Sequence, residues 1–145
     1  MSIDRNKILD MNQIINADPH GRITLQGHDA VAFHIDSKPV KGEPTIAAEY
    51  LGYTYLFSSD ANKATFEEQP EKYLPAYGGY CAYGVSLEVL APVDIDTWEI
   101  MDGRLYLQFS HATKDKFAAN RDECILKANE NWARIRNERR QPIAN

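Results

Sequence analysis

The chain has 145 residues, of which 43% are hydrophobic and 26% are charged, a composition typical of a folded globular domain. Its formal net charge of −5 disfavours binding to nucleic acid, and no apolar run approaches the roughly 18 residues of a membrane span. The two cysteines do not form a disulfide framework, and residues 1–10 carry charges without the apolar segment of a signal peptide. We therefore expect one domain over residues 1–145, located in the reducing cytoplasm.

The first third of the chain alternates short apolar segments with turns. The spacing of isoleucine and methionine over residues 8–15 predicts a short amphipathic helix. Strict alternation over residues 30–35 predicts a half-buried strand. Segments 47–50 and 53–57 flank Leu51-Gly52, which predicts a β-hairpin whose second strand is rich in aromatic residues.

The middle of the chain predicts a helix followed by a loop. Serines before Asp60 form a helix N-cap cluster, and the helix is expected to reach Gln69 and to bury Ala61, Ala64 and Phe66. Pro70 then begins a short turn that ends at Tyr73. Residues 85–93 are apolar but contain Pro92, so we expect a weakly extended segment.

The last third predicts a hairpin and two helices. Asp102-Gly103 between two apolar segments is typical of a type I′ turn, which would set Met101 opposite Arg104, Ile100 opposite Leu105 and Trp98 opposite Leu107. Ser110 caps a helix over 111–119, and Asn120 with Glu123 resembles a capping box that opens the last helix. Together these elements predict an α+β fold, with a small antiparallel β-sheet packed against helices and two C-terminal helices.

The segment from Gly78 to Gly84 contains the most unusual composition, because three glycines and two tyrosines surround Cys81. Cys81 is either a reactive thiolate or soft-metal ligand, or a buried and inert cysteine whose neighbours shape a turn. His28 is the candidate partner if the fold brings it near. Cys124 lies beside the apolar stripe of the last helix, which favours packing, and His34 is expected at the surface.

The tyrosines provide a second candidate site. Tyr77, Tyr80 and Tyr83 flank Cys81 and, with Gly79, are candidates for the wall of a ligand pocket. The chain has no zinc-site spacing, no nucleotide-binding glycine motif and no hydrolase nucleophile motif, so no established catalytic motif is present.

Several ordered blocks resemble the YHS domain, and the flanking blocks resemble its stand-alone (seleno)protein subfamily. The first set is Tyr55–Ser59, Phe66 and Pro70–Tyr73; the second is Gly27–Phe33, Lys38–Gly42, Gly78–Gly84, Trp98–Leu107, Lys127–Asn129 and Asn131-Trp132. The YHS-like region would span about residues 22–109 and the C-terminal helical segment about 110–139.

The resemblance implies redox or soft-metal chemistry, because some relatives carry selenocysteine at what we take to be the place of Cys81. YHS domains attached to metal transporters have a cysteine where this chain has Ser58. Relatives often carry export signals, which keeps a periplasmic location open.

Two functions from different classes follow. The first is a soft-metal site for an ion such as copper, or a thiol redox site, centred on Cys81 with His28 as second ligand. The alternative is a non-catalytic module that binds a small ligand or a protein through a tyrosine-lined pocket. A homodimer formed through the C-terminal helices is a third expectation.

Overall fold

The computed structural model describes residues 14–138 and 142–143. The predicted helix over residues 8–15 lies almost entirely outside the described residues, and Ile14 and Ile15 are not helical. No helix within the described ranges is long and apolar enough to cross a membrane.

Six helices and four strands make up the described part of the chain. The helices are α1 (Ala32–Ile35), α2 (Asp60–Glu68), α3 (Pro70–Tyr73), α4 (Ala82–Ser86), α5 (His111–Ala119) and α6 (Arg121–Ile135). The strands are β1 (Glu43–Tyr50), β2 (Tyr53–Phe57), β3 (Asp94–Met101) and β4 (Arg104–Gln108), and short 3₁₀ turns occupy Leu25–Gly27 and Ala76–Gly79. The α+β fold with two C-terminal helices is confirmed.

The strands form two separate antiparallel hairpins, β1–β2 and β3–β4. In the β3–β4 hairpin, Asp102 and Gly103 have φ values of 50° and 78°, as a type I′ turn requires. The predicted pairs Met101–Arg104 and Ile100–Leu105 are present. A register shift lies between Asp94 and Glu99, so the predicted pair of Trp98 and Leu107 is not part of the regular ladder.

The prediction of a strand over residues 30–35 is wrong, because this segment forms the single helical turn α1. Asp29 determines the outcome: its Oδ1 accepts hydrogen bonds from the backbone N–H groups of Val31 (2.9 Å) and Ala32 (3.1 Å). These bonds satisfy amide groups that a strand would have paired with a neighbour. Phe33 is fully buried, whereas Ile35 is exposed, so the alternation did not reflect a two-faced strand.

Helix α2 buries Phe66, as predicted, but not the two alanines. Ala61 and Ala64 are exposed, whereas Asn62 and Phe66 are buried. Asn62 is inside because its Nδ2 donates to the buried carboxylate of Asp29 at 2.9 Å.

Two further local predictions need correction. Val85 and Ser86 belong to helix α4, Leu87 and Glu88 form a turn, and residues 89–93 have no regular secondary structure. The side chain of Asn120 makes no capping hydrogen bond at the start of α6, although the helix does begin at Arg121. The predicted caps of α2 and α5 are present, since Ser59 and Ser110 each accept a backbone N–H bond.

Two hydrophobic clusters form the core, and strand β4 lies between them. Leu105 and Leu107 belong to the first cluster, which also contains Phe33, Phe57 and Phe66. The second cluster joins the 3₁₀ turn at 76–79 with the helices, and its buried members are Ala76, Tyr77, Tyr80, Ala82, Val85, Leu90, Phe117, Cys124, Ala128 and Ile135. Because side chains alternate along a strand, Tyr106 points away from the first cluster and packs against the second.

Candidate ligand-binding site

Cys81 is buried, with 1% of its surface exposed, and its thiol has three hydrogen-bonding partners. The sulfur accepts backbone N–H bonds from Gly84 (3.4 Å) and Phe109 (3.2 Å), and the thiol donates to Oε1 of Gln108 at 3.4 Å. The same oxygen accepts the backbone N–H of Tyr83 at 2.9 Å. Cys81 therefore caps helix α4 and ties it to the end of β4.

The electrostatic environment of Cys81 favours the neutral thiol. Burial raises the pKa of the Cys81 thiol above its ordinary value, and the backbone N–H groups of Gly84, Phe109 and Tyr83 offset part of that shift. A thiolate is the form that attacks electrophiles and binds metals. The surroundings of Cys81 therefore suit a structural cysteine better than an activated one.

His28 lies elsewhere in the fold. Its Nδ1 is 3.1 Å from the carbonyl oxygen of Leu25, and its backbone forms a bridge with Lys41. Among the described residues, no hydrogen bond joins His28 to Cys81. Metal binding by Cys81 and His28 stays a prediction.

The wider search for metal ligands gives the same picture. No group of three or more His, Cys, Asp or Glu side chains suited to a metal ion occurs within residues 14–138 and 142–143. Both cysteines are free thiols, and Cys124 is buried in the second cluster, as its position beside the apolar stripe predicted.

His34 is not the surface residue that the sequence predicted. Its ring is half-buried and makes an edge contact with Tyr73, with ring centroids 5.1 Å apart. Burial lowers the pKa of His34, and the positive charges of Lys72 and Arg104 lower it further. His34 is therefore neutral at physiological pH.

A cavity of about 520 Å³ opens where the two hydrophobic clusters meet. Five aromatic side chains from four separate segments line it: Tyr50 and Tyr55 from the first hairpin, Tyr77 from the 3₁₀ turn, Tyr106 from β4 and Trp132 from α6. We call it the tyrosine-lined cavity. Volumes of about 300–1,000 Å³ are usual for small-molecule sites.

The predicted pocket residues divide between this cavity and the core. Tyr77 and Gly79 line the tyrosine-lined cavity. Tyr80 is buried behind it, with its ring centroid 6.5 Å from that of Trp132, and Tyr83 is half-buried. Neither Tyr80 nor Tyr83 is among the lining residues, and neither is Cys81.

The wall at the 3₁₀ turn has an unusual backbone. Tyr77, Gly78 and Gly79 have φ values of 56°, 61° and 83°, and a tyrosine with positive φ is strained. Asn16 holds the turn in place with two hydrogen bonds. Its backbone N–H donates to the Gly78 carbonyl oxygen (2.9 Å), and its Nδ2 donates to the Gly79 carbonyl oxygen (3.0 Å). From α6, Asn129 accepts the hydroxyl hydrogen of Tyr77 at 2.9 Å.

The rings around the turn pack against one another. The ring centroid of Tyr77 lies 5.9 Å from that of Tyr106 and 6.4 Å from that of Trp132, both at steep angles. Burial raises the pKa values of Tyr77 and Tyr106, so both hydroxyls are neutral at physiological pH. The cavity thus presents ring faces together with neutral hydrogen-bonding groups.

Charged side chains complete the lining. Arg104 and Arg136 contribute positive charges, and the exposed Glu71 contributes a negative one. Sequence reasoning missed both arginines, together with Tyr106, Asn129 and Trp132. Each belongs to a different hairpin or helix from the segment around Cys81, and no local pattern connects them.

A neighbouring groove of about 940 Å³ is a weaker candidate. Its lining includes Asn16, Leu25 and Gly79, which it shares with the tyrosine-lined cavity, but no aromatic side chain. Its lysine, Lys41, already donates to the carbonyl oxygen of Gln26 at 2.8 Å. The groove therefore offers fewer groups that converge on a ligand.

Comparison with known proteins gives one family match. No curated protein and no solved structure shows a significant match to the chain. The family model described as the YHS domain matches residues 31–77. This part of the chain, which supplies Tyr50, Tyr55 and Tyr77 to the tyrosine-lined cavity, is therefore similar to a YHS domain.

Proposed function

We propose that the protein is a small-molecule-binding module whose ligand occupies the tyrosine-lined cavity. The observation that carries this proposal is the convergence of five aromatic side chains from four segments on one space of about 520 Å³. Aromatic faces bury large apolar areas on a ligand, and tyrosine hydroxyls add directional hydrogen bonds. Rings fixed by mutual contacts also lose little conformational entropy when a ligand binds.

The lining favours binding over catalysis. Burial keeps the hydroxyls of Tyr77 and Tyr106 protonated, because it raises the pKa of each. Arginine is effectively always protonated and serves poorly as a general base. Glu71 is the one carboxylate in the lining, and it is exposed. This set of side chains can hold and orient a molecule, but it offers no activated nucleophile.

Soft-metal binding or thiol redox chemistry at Cys81 remains the rival proposal. The YHS-like region supports it, since that domain is often associated with copper handling. The buried, hydrogen-bonded state of the thiol weighs against it, because a neutral thiol is a poor nucleophile and metal ligand.

Membership of the stand-alone YHS subfamily and a single-domain organisation belong to the same proposal. Their support comes from the blocks outside residues 31–77, such as Gly78–Gly84. Helix α6 lies beyond the YHS match, yet its residues Asn129, Trp132 and Arg136 line the cavity with Tyr50 and Tyr55. A site assembled from both parts is the arrangement expected of one domain.

Intrinsic fluorescence tests the proposal directly. The chain has two tryptophans, so Trp98→Phe leaves Trp132, in the cavity wall, as the sole fluorophore. We expect a screen of small aromatic compounds to find ligands that change Trp132 emission and raise the melting temperature, as binding to the native state requires.

A cavity-blocking variant locates the ligand. Asn129→Phe would project a ring from α6 into the cavity, and Glu130→Phe places the same ring on the exposed neighbouring position as the matched control. Ligand binding should be lost in the first variant and kept in the second. Equal affinity in both variants, or a screen with no ligand at millimolar concentration, would contradict the proposal.

A further inference from the structure

We infer that the ligand of the tyrosine-lined cavity is a small organic anion, with a flat aromatic or apolar body and a carboxylate that binds Arg136 and Arg104. The inference rests on the proposed function and adds the chemical class of the ligand. It starts from the distribution of arginine partners over the described residues.

Two of the three described arginines outside the cavity pair with carboxylates, and the third, Arg22, donates its Nε to the carbonyl oxygen of Gly52. Arg121 pairs with Glu99 at 3.5 Å, and Arg134 pairs with Glu88. Among the described residues, neither Arg104 nor Arg136 forms a salt bridge. Both line the tyrosine-lined cavity.

Arg136 carries the stronger signal. Its Nε is buried, and it has no hydrogen-bonding partner in the described structure. A buried donor without an acceptor is costly, and native structures rarely keep one without a reason. A guanidinium presents its N–H donors in a planar fork that matches the two oxygens of a carboxylate. A bound anion would supply the missing acceptor.

The position of Arg136 on the helix fits this role. Asn129, Trp132 and Arg136 are spaced i, i+3 and i+7, so they lie on one face of α6 and its C-terminal extension, and all three line the cavity. Trp132 thus offers a ring one helical turn before the guanidinium. A ligand that stacks on this ring would extend its charged group towards Arg136.

Arg104, the first residue of strand β4, is the second arginine in the cavity lining. Its Nη1 donates to the carbonyl oxygen of Leu74 at 3.3 Å, and its positive charge offsets part of the rise that burial causes in the pKa of Tyr106. Its other donors are left for an anion, since Arg104 makes no other hydrogen bond among the described residues.

The charge balance decides between an anion and a cation. Aromatic rings alone also attract cations, and cages of such rings bind quaternary ammonium groups. Here the exposed Arg104 and the half-buried Arg136 line the cavity with one exposed glutamate, Glu71, although the whole chain has a net charge of −5. A local excess of positive charge in an acidic protein repels a cationic ligand and attracts an anionic one.

Three probes of nearly equal shape test the inference: 1-naphthoate, neutral 1-naphthamide and cationic 1-naphthylmethylammonium. We expect isothermal titration calorimetry to rank the anion first and the cation last. Arg136→Gln should weaken naphthoate binding about tenfold to a hundredfold, as loss of a charged hydrogen-bonding partner does, and leave naphthamide binding unchanged. Unchanged naphthamide binding also shows that the variant is folded.

Two further variants sharpen the result. Arg136→Lys keeps the charge but removes the fork, so its naphthoate affinity should fall between those of the parent and Arg136→Gln. Arg121→Gln, outside the cavity and paired with Glu99, is the matched control and should bind naphthoate like the parent.

The outcomes separate this inference from the proposed function. If naphthamide binds as tightly as naphthoate, or the ammonium binds more tightly, the anion inference fails while the cavity remains a ligand site. The inference also fails if Arg136→Gln and Arg121→Gln bind naphthoate equally. If no probe binds and the wider screen also finds no ligand, the proposed function itself fails.

Discussion

Replacement of Asp29 by asparagine should destabilise the protein strongly. The Asp29 carboxylate is fully buried. It accepts five hydrogen bonds: two from the N–H groups of Val31 and Ala32, two from the N–H and hydroxyl of Ser58, and one from Asn62. These bonds join the start of α1 to the junction between β2 and α2.

The magnitude follows from how many of these bonds an amide can keep. Asparagine has the same shape as aspartate, but its amide nitrogen is a donor and only its oxygen accepts. Both oxygens of Asp29 accept hydrogen bonds, so the amide nitrogen would face a donor in either orientation. If the amide nitrogen takes the place of Oδ1, the two bonds from Val31 and Ala32 are disturbed. If it takes the place of Oδ2, the three bonds from Ser58 and Asn62 are disturbed. Hydrogen bonds to a charged group are worth about 1.5–3 kcal/mol each, so we expect a loss of about 3–5 kcal/mol in the free energy of unfolding.

Urea unfolding followed by circular dichroism measures this loss. Asp36→Asn is the matched control, because Asp36 is exposed just after α1 and its substitution makes the same charge change. Asp29→Asn should lower the urea midpoint strongly at an unchanged m-value, whereas Asp36→Asn should stay within about 0.5 kcal/mol of the parent. If the two variants unfold at the same urea concentration, the buried carboxylate does not hold these elements together.

Three further predictions concern the 3₁₀ turn and the residues after it. Native Cys81 should react with iodoacetamide at pH 7 far more slowly than the unfolded chain, because burial raises the pKa of the Cys81 thiol. Gly78→Ala should destabilise the protein by about 1–3 kcal/mol more than Gly103→Ala, since overpacking of a filled site costs about that much. Both glycines have positive φ, so they share the backbone cost of the substitution. A Cβ at Gly78 would lie 2.7 Å from a carbonyl oxygen and 3.0 Å from Trp132, whereas a Cβ at Gly103 would meet nothing within 4 Å. Burial raises the pKa of Tyr80 from 10.0 to about 12. As the pH rises, the tyrosine of the unfolded chain therefore loses its proton before that of the folded protein. The contribution of Tyr80 to the free energy of unfolding is complete below pH 10 and falls between pH 10 and about 12.

Each of these predictions has its own measurement and control. Mass spectrometry of the alkylated protein separates Cys81 from Cys124, and fast native labelling of Cys81 would favour the thiol hypothesis over the structural one. Urea midpoints compare the two glycine variants, and equal losses would show that the cavity wall yields to a methyl group. For Tyr80, unfolding free energies from pH 8 to 12 should depend less on pH in Tyr80→Phe than in the parent; identical slopes would contradict the assignment.

Local signals in the sequence predicted the two hairpins and the three longest helices, because each depends on a few neighbouring residues. Asp102-Gly103 determines a two-residue turn, and Ser59 and Ser110 cap the helices that follow them. Residues 30–35 misled the prediction because alternation over so short an apolar run does not distinguish a strand from a helical turn. The bonds of Asp29 to Val31 and Ala32 start the helical turn, and its bonds to distant Ser58 and Asn62 attach that turn to the rest of the fold.

The candidate site was less predictable than the fold. Tyr77 and Gly79 were identified because they adjoin an unusual glycine-rich segment, and both line the cavity. Attention to Cys81 as the centre of that segment came from composition and resemblance, neither of which reports burial. Arg136 carried no local signal, because an arginine after a helix is ordinarily a solvated residue that interacts with the helix dipole.

The cavity itself follows from the alternation of side chains along β4. Leu105 and Leu107 enter the first cluster, and Tyr106 between them reaches the second, so one strand contributes to both cores. Where the clusters meet, the chain places tyrosines and arginines instead of aliphatic residues that would fill the space. Buried hydroxyl groups and the buried Nε of Arg136 around an open volume cost stability that a filled apolar core would not. A strained Tyr77 adds to that cost, and sites that keep such strain and unsatisfied polarity are usually those where function requires it.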